Sequence, residues 1–558
     1  MAAKQLRFEA PARAALARGA ALVADTVAVT LGPRGRTVVL DKKFGPPLIS
    51  NDGVTIAREL ELEDHFENMG AQLLKEVAIK TNDIAGDGTT TATVLARAML
   101  DEGLRNLAAG APPNDLRRGM MAACDAAVAS IRSRSHPIKG GDDIRRVATI
   151  SSGDETIGAM IADAFDKVGK EGVVSVEEGT GIDTEVEVVE GMQFDRGYIS
   201  AHLVTDTQNM ESVLNDARVL VTDAKISSVP DLLPSLELVM RAGRPLLIIA
   251  EDIQAEALAT LVVNRARGTF SAMAVKAPAF GERRDAILQD IAVLTGATVI
   301  SEKTGLRLDA VRDEHLGVAG RVTVTKDDTT VVRGGGAKSA IEGRCAEIRR
   351  QMEETTSDWD REKLQERLAR LTGGVAVVKV GAATEVEMKE RKSRVEDALA
   401  ATRAAIEEGV VVGGGVALLR AVPAVEALKL EGNARVGADI VARALREPLR
   451  IIANNAGLEG QVVVNTVAES TGDEGFDALT ETYGNLIERG VIDPTKVVIS
   501  ALTHATSIAT IVLSTDALIA DAPEPEEGAP AGGGHSHGGG GMGGMGGMGG
   551  MDDDDMDF

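Results

Sequence analysis

Two glycines bracket a single carboxylate in Gly86-Asp87-Gly88, and three hydroxyls, Thr89-Thr90-Thr91, follow at the mouth of an apolar run from Ala92 to Met99. Phosphate and metal binding is the chemistry that such a stretch suits. Backbone N–H groups at a helix start attract anions, glycine lets the backbone approach a phosphate, and a carboxylate among them can hold a Mg²⁺ that bridges phosphate oxygens. The Gly-Lys-Ser/Thr ending of a Walker loop is missing, so a nucleotide bound here needs another architecture. Taken alone, the same residues also describe a glycine turn before an ordinary helix with a threonine cap.

Three more glycine turns accompany it: Thr30-Leu31-Gly32-Pro33-Arg34-Gly35, Asn51-Asp52-Gly53 with a second carboxylate, and Gly413-Gly414-Gly415 before an apolar helical run. Other distinctive stretches are Glu67-Asn68-Met69-Gly70-Ala71, Glu190 to Tyr198 (EGMQFDRGY), Lys379 to Glu385 (KVGAATE), Arg394 to Ala398 (RVEDA), Asp493-Pro494-Thr495-Lys496, and the Gly-Gly-Met repeats of the tail. In consistent order from about residue 2 to about residue 520, these resemble the group I chaperonins, the GroEL type.

That resemblance implies an α+β multidomain fold. It has a mostly helical equatorial domain from 1–136 and 409–521, a small α/β intermediate domain from 137–190 and 375–408, and an inserted α/β apical domain, 191–374. The order of the candidate nucleotide pieces asks for the same plan. Residues 30–53 and 86–91 lie near the start and 397, 413–415 and 477–493 near the end, so one pocket requires the chain to leave and return.

By the same resemblance the cofactors are ATP and Mg²⁺, with K⁺ a further candidate. Asp87 is the expected metal ligand, Gly88, Thr89, Thr90 and Thr91 the phosphate donors, and Asp52 the second carboxylate near the γ-phosphate. Thr30, Leu31, Gly32 and Pro33 are expected against the α-phosphate and base, with Gly414, Asp477, Ala478 and Asp493 around adenine and ribose. Asp397 is expected to position the attacking water. Helical periodicity puts Val395, Leu399, Thr402 and Ile406 on one apolar stripe and turns Asp397 away from it, onto a free polar face. Two positions depart from the family. Asn51 stands where a lysine is common, removing a positive charge beside the phosphates, and Asp477 replaces an asparagine.

The resemblance also implies partners: non-native polypeptides, a lid co-chaperonin of the GroES type, and further copies of the chain in two stacked seven-membered rings, with Arg196 and Glu385 in a contact between neighbours. Clients and lid are expected on Tyr198, Leu203, Leu233, Leu236, Leu258, Val262 and Val263, where His202 and Leu203 replace common aromatic residues. Spacing alone would turn these leucines and valines into a core.

Composition sets the bounds. The 558 residues need several domains, and with 44% hydrophobic but 2% aromatic side chains the cores must be built from Ala, Val, Leu and Ile. A formal charge of −25 argues against nucleic-acid and anionic-membrane surfaces. Cys124 and Cys345, far apart and without metal-ligand spacing, fit a reducing compartment, and a cytoplasmic location is expected. Ala12 to Ala24 is interrupted by Arg13 and Arg18 and fits no removable leader, and Ala505 to Ala520 reads as a buried core helix.

Locally, Val38-Val39-Leu40 and Leu48-Ile49 flank the turn Phe44-Gly45-Pro46-Pro47; Val174, Val176, Val186 and Val188 alternate as strands; and Pro245 to Ala250 is a buried strand with a helix from Glu251. Leu364, Leu368 and Leu371 mark an amphipathic helix that stops at Gly373-Gly374. Beyond 521 the Pro, Glu, Gly and Met composition cannot bury a core, and His535, His537 and Asp552 to Asp555 read as solvated.

The expected activity is therefore ATP-driven chaperoning under a lid. A specialised paralogue acting as a holdase with slow turnover is the alternative that Asn51, His202 and Leu203 keep open. A small-molecule kinase would need a second substrate pocket, for which no constellation is evident.

Overall fold

Small side chains decide how the helices pack. Glu9–Ala28 turns Ala12, Ala15, Leu16, Ala20, Val23, Ala24 and Val27 inward at helical spacing. It crosses His65–Ala85 where Gly19 faces the Glu67 carbonyl and Gly70 faces the Leu16 carbonyl, each with no room for a Cβ. Two glycines at one crossing bring the backbones together and compensate for the scarcity of aromatic filler. Thr89–Ala108, Pro113–Ser133 and Thr495–Ser514 complete this helical layer with Gly432–Ala444 and Val416–Glu426. Helices from both ends of the chain thus share one core.

The computed structural model describes residues 3–42, 47–169, 172–179, 181–207, 210–355 and 357–521. They fall into two units, 3–6 with 519–521, and the described residues of 7–518. In the first, residues 4–6 and 519–521 belong to two paired strands, and Lys4 pairs with Asp521.

Within the second unit, period-two and continuous apolar runs build the sheets. Val173–Glu178 pairs in parallel, and Glu185–Val189 antiparallel, with Val375–Val380 between them, so two distant segments are joined in one three-stranded sheet. Gly141–Ser152, Glu155–Val168 and Glu385–Glu408 pack on it through Ile144, Ile161, Phe165, Val378, Val395 and Leu399. A seven-stranded sheet comes wholly from residues 191–334, in the order 272–276, 246–250, 212–222, 317–324, 329–334 and 191–194, with 299–300 also on 212–222. Its interior strand Leu246–Ala250 is buried throughout, as a run of Leu and Ile with parallel neighbours requires. On its flank, the wholly buried Asp290 accepts from Arg344 Nε at 2.7 Å and from Arg367 Nε and Nη2 at 2.7 and 2.9 Å, tying three helices together.

Several local expectations hold and two shift. Val38–Leu40 and Leu48–Ser50 form an antiparallel pair; the turn at 44–46 lies outside the described residues, as do the tail, His535, His537 and Asp552 to Asp555. The helix expected from Glu251 begins at Ala255, because Asp252–Ile253 first pair in parallel with Lys225–Ile226. The apolar stretch read as a helix from 505 to 520 is instead the end of Thr495–Ser514 followed by the strand Ala517–Asp521. That helix is long and apolar enough to span a membrane, but most of it is buried among other helices, including Ala501, Leu502, Ala505 and Ala509 at 0% exposure. Gly191 opens a strand and Gly374 (φ +64°) immediately precedes one, while Pro137 and Gly409 lie at the two crossings between the helical layer and the three-stranded sheet.

Candidate functional site

Asp87 sits between two left-handed glycines, Gly86 (φ +66°) closing the helix His65–Ala85 and Gly88 (φ +78°) opening Thr89–Ala108. Only glycine takes both positions without strain. Both are also closely covered: no Cβ fits on Gly86 beside Ala400, and one on Gly88 would lie 2.5 Å from Val497 Cγ1. The turn therefore sets the bare backbone of its two glycines against the two later helices. Asp87 Oδ1 accepts from its neighbour's N–H on Gly88, and Oδ2 accepts from the Ser151 hydroxyl at 2.9 Å.

The other early turns converge here. Thr30 donates to the Val27 carbonyl at 2.8 Å and lies 3.3 Å, oxygen to oxygen, from the Thr90 hydroxyl. Asp52 caps Gly53–Glu59, accepting from Thr55 N–H at 2.8 Å and Val54 N–H at 3.3 Å. Gly53 packs so closely that a Cβ would lie 2.6 and 2.7 Å from the Thr90 and Thr89 hydroxyls. Leu31 is held by its carbonyl, which accepts from Asn455 Nδ2 at 2.9 Å, and Ile452 packs on Gly32.

From the other end of the chain, Val410–Val412 pairs with Ile492–Pro494 and sets Asp493 opposite Val411, beside Gly413. Gly414 lies next to the Phe476 carbonyl, so the buried Asp477 and Ala478 follow directly after that contact. Asp477 accepts from Leu479 N–H at 3.0 Å and from the Thr480 hydroxyl at 2.7 Å, which fixes its own turn. The buried Arg420 donates to the Gly472, Val467 and Glu474 carbonyls at 2.8 to 3.0 Å and anchors the segment leading there.

Asp397 is not on a free solvated face. It is half-buried, and the helix that carries it lies against the Gly86 turn through Ala400. Burial, and then the charges of Asp52, Asp87 and Glu396, holds its carboxyl well above the ordinary aspartate range. Burial and the nearby Asp52 charge also raise Asp87, against the two hydrogen bonds it accepts. Asp493 is pushed up to about 7, by burial first and then by Asp87. Asp52, Asp87, Asp397 and Asp493 thus share one neighbourhood, and among the described residues none of these four carboxylates has an ion-pair partner, whereas Glu396 pairs with Lys392.

Such a cluster favours a cation. Its donors are hard oxygens, the Asp87 and Asp52 carboxylates and the Thr89 to Thr91 hydroxyls, which suits Mg²⁺. Among the described residues no group of three or more His, Cys, Asp or Glu side chains encloses a metal unaided. An incomplete protein cage is what Mg²⁺ ordinarily occupies, since it is held by one or two carboxylates plus substrate phosphates and water.

The raised carboxyls make a pH prediction. Folded Asp493 keeps its proton up to about pH 7, whereas an unfolded aspartate releases it near roughly pH 4. Between these values the folded state binds more protons, so stability falls as pH rises through the window. Melting temperature should therefore drop between pH 5 and 8, and Asp493→Asn should flatten the slope without removing it, because Asp87 and Asp397 shift the same way. An unchanged slope would assign the titration elsewhere.

The expected client face divides. Leu233 and Val263 are 49% and 46% exposed, on Val229–Ala242 and Ala255–Ala266. Leu258, Val262 and Tyr198 are half-buried against the core of the seven-stranded sheet. Leu236 and Leu203 are corrections: at 5% and 0% exposure both belong to that core. Leu236 lies on the inward stripe Leu232, Ser235, Leu236, Val239, one step round from Leu233. Leu203 ends a short 3₁₀ turn capped by Ser200, which points it inward and leaves His202 outside. Arg196 stacks on Phe280 at 5.8 Å, and the exposed Glu385 pairs with Lys389 on its own helix.

Sequence reasoning missed Ser151, Asn455 and Arg420. Each is a single polar residue in a helix without a local motif, and only the tertiary contact gives it a role.

A chain whose two ends build one oxygen-rich turn cluster around an inserted sheet unit has the multidomain organisation of a chaperonin. A profile of the TCP-1/cpn60 chaperonin family matches residues 23–523, and the chain belongs to that family. Its role is that of a chaperone in protein folding. Members of the family are generally ATPases that use Mg²⁺, form rings and bind unfolded polypeptides.

Proposed function

We propose that this chain is a group I chaperonin that hydrolyses ATP to fold captured polypeptides in a ring closed by a lid co-chaperonin of the GroES type. The observation that carries this reading is the convergence of Asp52, Asp87 and Asp397 on the Gly86 to Thr91 turn without any cationic partner among the described residues. Residues 1–136 and 409–521 act as the equatorial domain, 137–190 and 375–408 as the intermediate domain, and 191–374 as the apical domain.

In this reading Asp87 holds Mg²⁺, which supplies charge neutralisation to the transferred phosphoryl group. Phosphoryl transfer otherwise asks the protein mainly for positioning and electrostatic stabilisation. Thr89, Thr90 and Thr91 offer hydroxyl and N–H donors, Thr30 to Pro33 line the α-phosphate side, and Gly414, Ala478 and Asp493 border the nucleoside. Asp397, delivered by the helix that rests on Gly86, orients the water. Leu233, Val263, Val262, Leu258 and Tyr198 offer clients and lid an apolar face on the apical unit. Arg196 and Glu385 meet across subunits in a cytoplasmic double ring of seven-fold symmetry.

The decisive experiment combines Mg²⁺-dependent ATP hydrolysis, light scattering and refolding of a denatured client by the purified protein. The expected result is a large ring, ATPase activity lost on chelation, and refolding that needs both ATP and a lid. Asp87→Asn should weaken Mg²⁺-dependent nucleotide binding. No nucleotide binding by the assembled protein would overturn the reading. Asn51, which puts no positive charge beside the cluster, favours one second reading: a holdase that keeps clients soluble while turning ATP over slowly. Capture without ATP-dependent release would select it.

A further inference from the structure

The helix Glu385–Glu408, which carries Asp397, ends at a junction held by several hydrogen bonds. Gly409 follows at φ +78°, ψ −167°, a conformation that L side chains rarely adopt, and a Cβ there would lie 2.5 Å from the His136 carbonyl and 2.7 Å from Ser135 Oγ. The Gly409 carbonyl accepts from Thr495 N–H at 3.0 Å, and Val410 and His136 exchange both of their backbone hydrogen bonds at 2.8 Å. Beside this backbone knot lies a chain of hydroxyls. Ser135 donates to the Glu408 carbonyl at 2.6 Å, an acceptor that a helix C-terminus otherwise leaves open. Ser135 Oγ also lies 2.7 Å from Thr495 Oγ1. A serine has one proton, and it is committed to Glu408, so Thr495 is the donor of the second bond. Thr495 is buried, at 1% exposure. Lys496 and Arg132 pair with Glu407 and Glu408 on either side.

The three participants come from three elements, two of which reach the candidate site. Thr495 opens the helix whose Val497 packs on Gly88, and with Ala85 and Ala404 forms a small core of its own. Ser135 follows the helix Pro113–Ser133, and Glu408 is eleven residues beyond Asp397 on one helix. A shift of the Glu408 end would pivot that helix on the Ala400 to Gly86 contact.

We propose that the Thr495 to Ser135 to Glu408 hydroxyl chain is a latch that fixes the pivot of the Asp397 helix. Ser135 and Thr495 are then positioning residues for hydrolysis, acting through Asp397 without touching nucleotide. The inference rests on the hydrolysis reading above. Misplacing a reacting group by a fraction of an ångström lowers the chemical step without removing binding surface.

The test uses the full-length assembled protein. Ser135→Ala and Thr495→Val should each lower kcat about tenfold while the ATP KM stays within about twofold and the melting temperature is nearly unchanged. The double variant should be no slower than either single, because both break one chain. Thr495→Ser, which keeps the hydroxyl, should restore the rate. Parental kcat in both singles, multiplied losses in the double, or a loss of kcat tracking a fall in melting temperature would overturn the latch. Asp397→Ala in the same assay separates the two levels: if it is inactive while the latch variants run at the parental rate, only the latch fails, whereas a fully active Asp397→Ala removes the reading beneath it. Should Ser135→Ala fail to assemble, the Thr495→Val and Thr495→Ser pair decides alone.

Discussion

Asp397→Ala lowers steady-state ATP hydrolysis by about 10²- to 10⁴-fold, the scale for losing a positioned base, and leaves ATP affinity nearly intact. The split follows from where the side chain sits. In the proposed reading the phosphate-side donors come from the turns at 30–33 and 86–91, which the substitution leaves in place, whereas Asp397 enters from a separate helix that rests through Ala400 on Gly86. The same placement sets the sign of the pH response. With its carboxyl held well above the ordinary range by burial and by Asp52 and Asp87, Asp397 takes up its proton at a higher pH than an exposed aspartate, so the fall of kcat/KM toward acid pH should set in at a higher pH than an exposed aspartate would give. Parental turnover in Asp397→Ala, measured beside equilibrium nucleotide binding, would take the role from this residue.

Leu233→Ser and Val263→Ser abolish capture of an unfolded client without lowering the melting temperature, whereas Leu236→Ser lowers it sharply. The first two side chains are about half exposed; removing them forfeits apolar contact with a client worth about 1.5 to 3 kcal/mol each. Leu236 is a core residue on the inward stripe of its helix, and emptying such a site costs about 2 to 5 kcal/mol even for alanine. Capture assays on the assembled protein, paired with melting curves, separate the cases. If Leu236→Ser melts like the parent and loses capture, the helix presents a different face from the one described.

What could be seen in advance depended on whether the signal was local. The Gly86 to Thr91 turn, the strands at 38–40 and 48–50, and the buried run at 246–250 carry their own chemistry, and each is where its residues put it. The need for the chain to leave and return followed from residue order alone. Asp397 shows the limit. Its helix is correctly amphipathic, but the carboxylates that surround it lie some three hundred residues earlier, so periodicity marked the polar face and had no means of saying what covers it. Leu233 and Leu236 fail differently: three residues apart, both are apolar and both fit a stripe, and only the crossing against the sheet chooses between them. Asp477 is a third kind, a carboxylate whose own turn takes up its oxygens, information that resides in backbone angles.

Synthesis order gives the divided helical layer a meaning in time. All seven strands of the inserted sheet lie between residues 191 and 334, so that unit can close on itself while the ribosome is still producing the rest. The turns at 30–33 and 86–91 emerge first and must wait, with Gly88 uncovered, for Asp493 and the Thr495–Ser514 helix, the last long element to appear. Contacts of such sequence separation form slowly. If the proposed function holds, a nascent chain completes its nucleotide site only when it is itself essentially complete, and for most of its own birth this chaperone resembles the unfinished proteins it is proposed to serve.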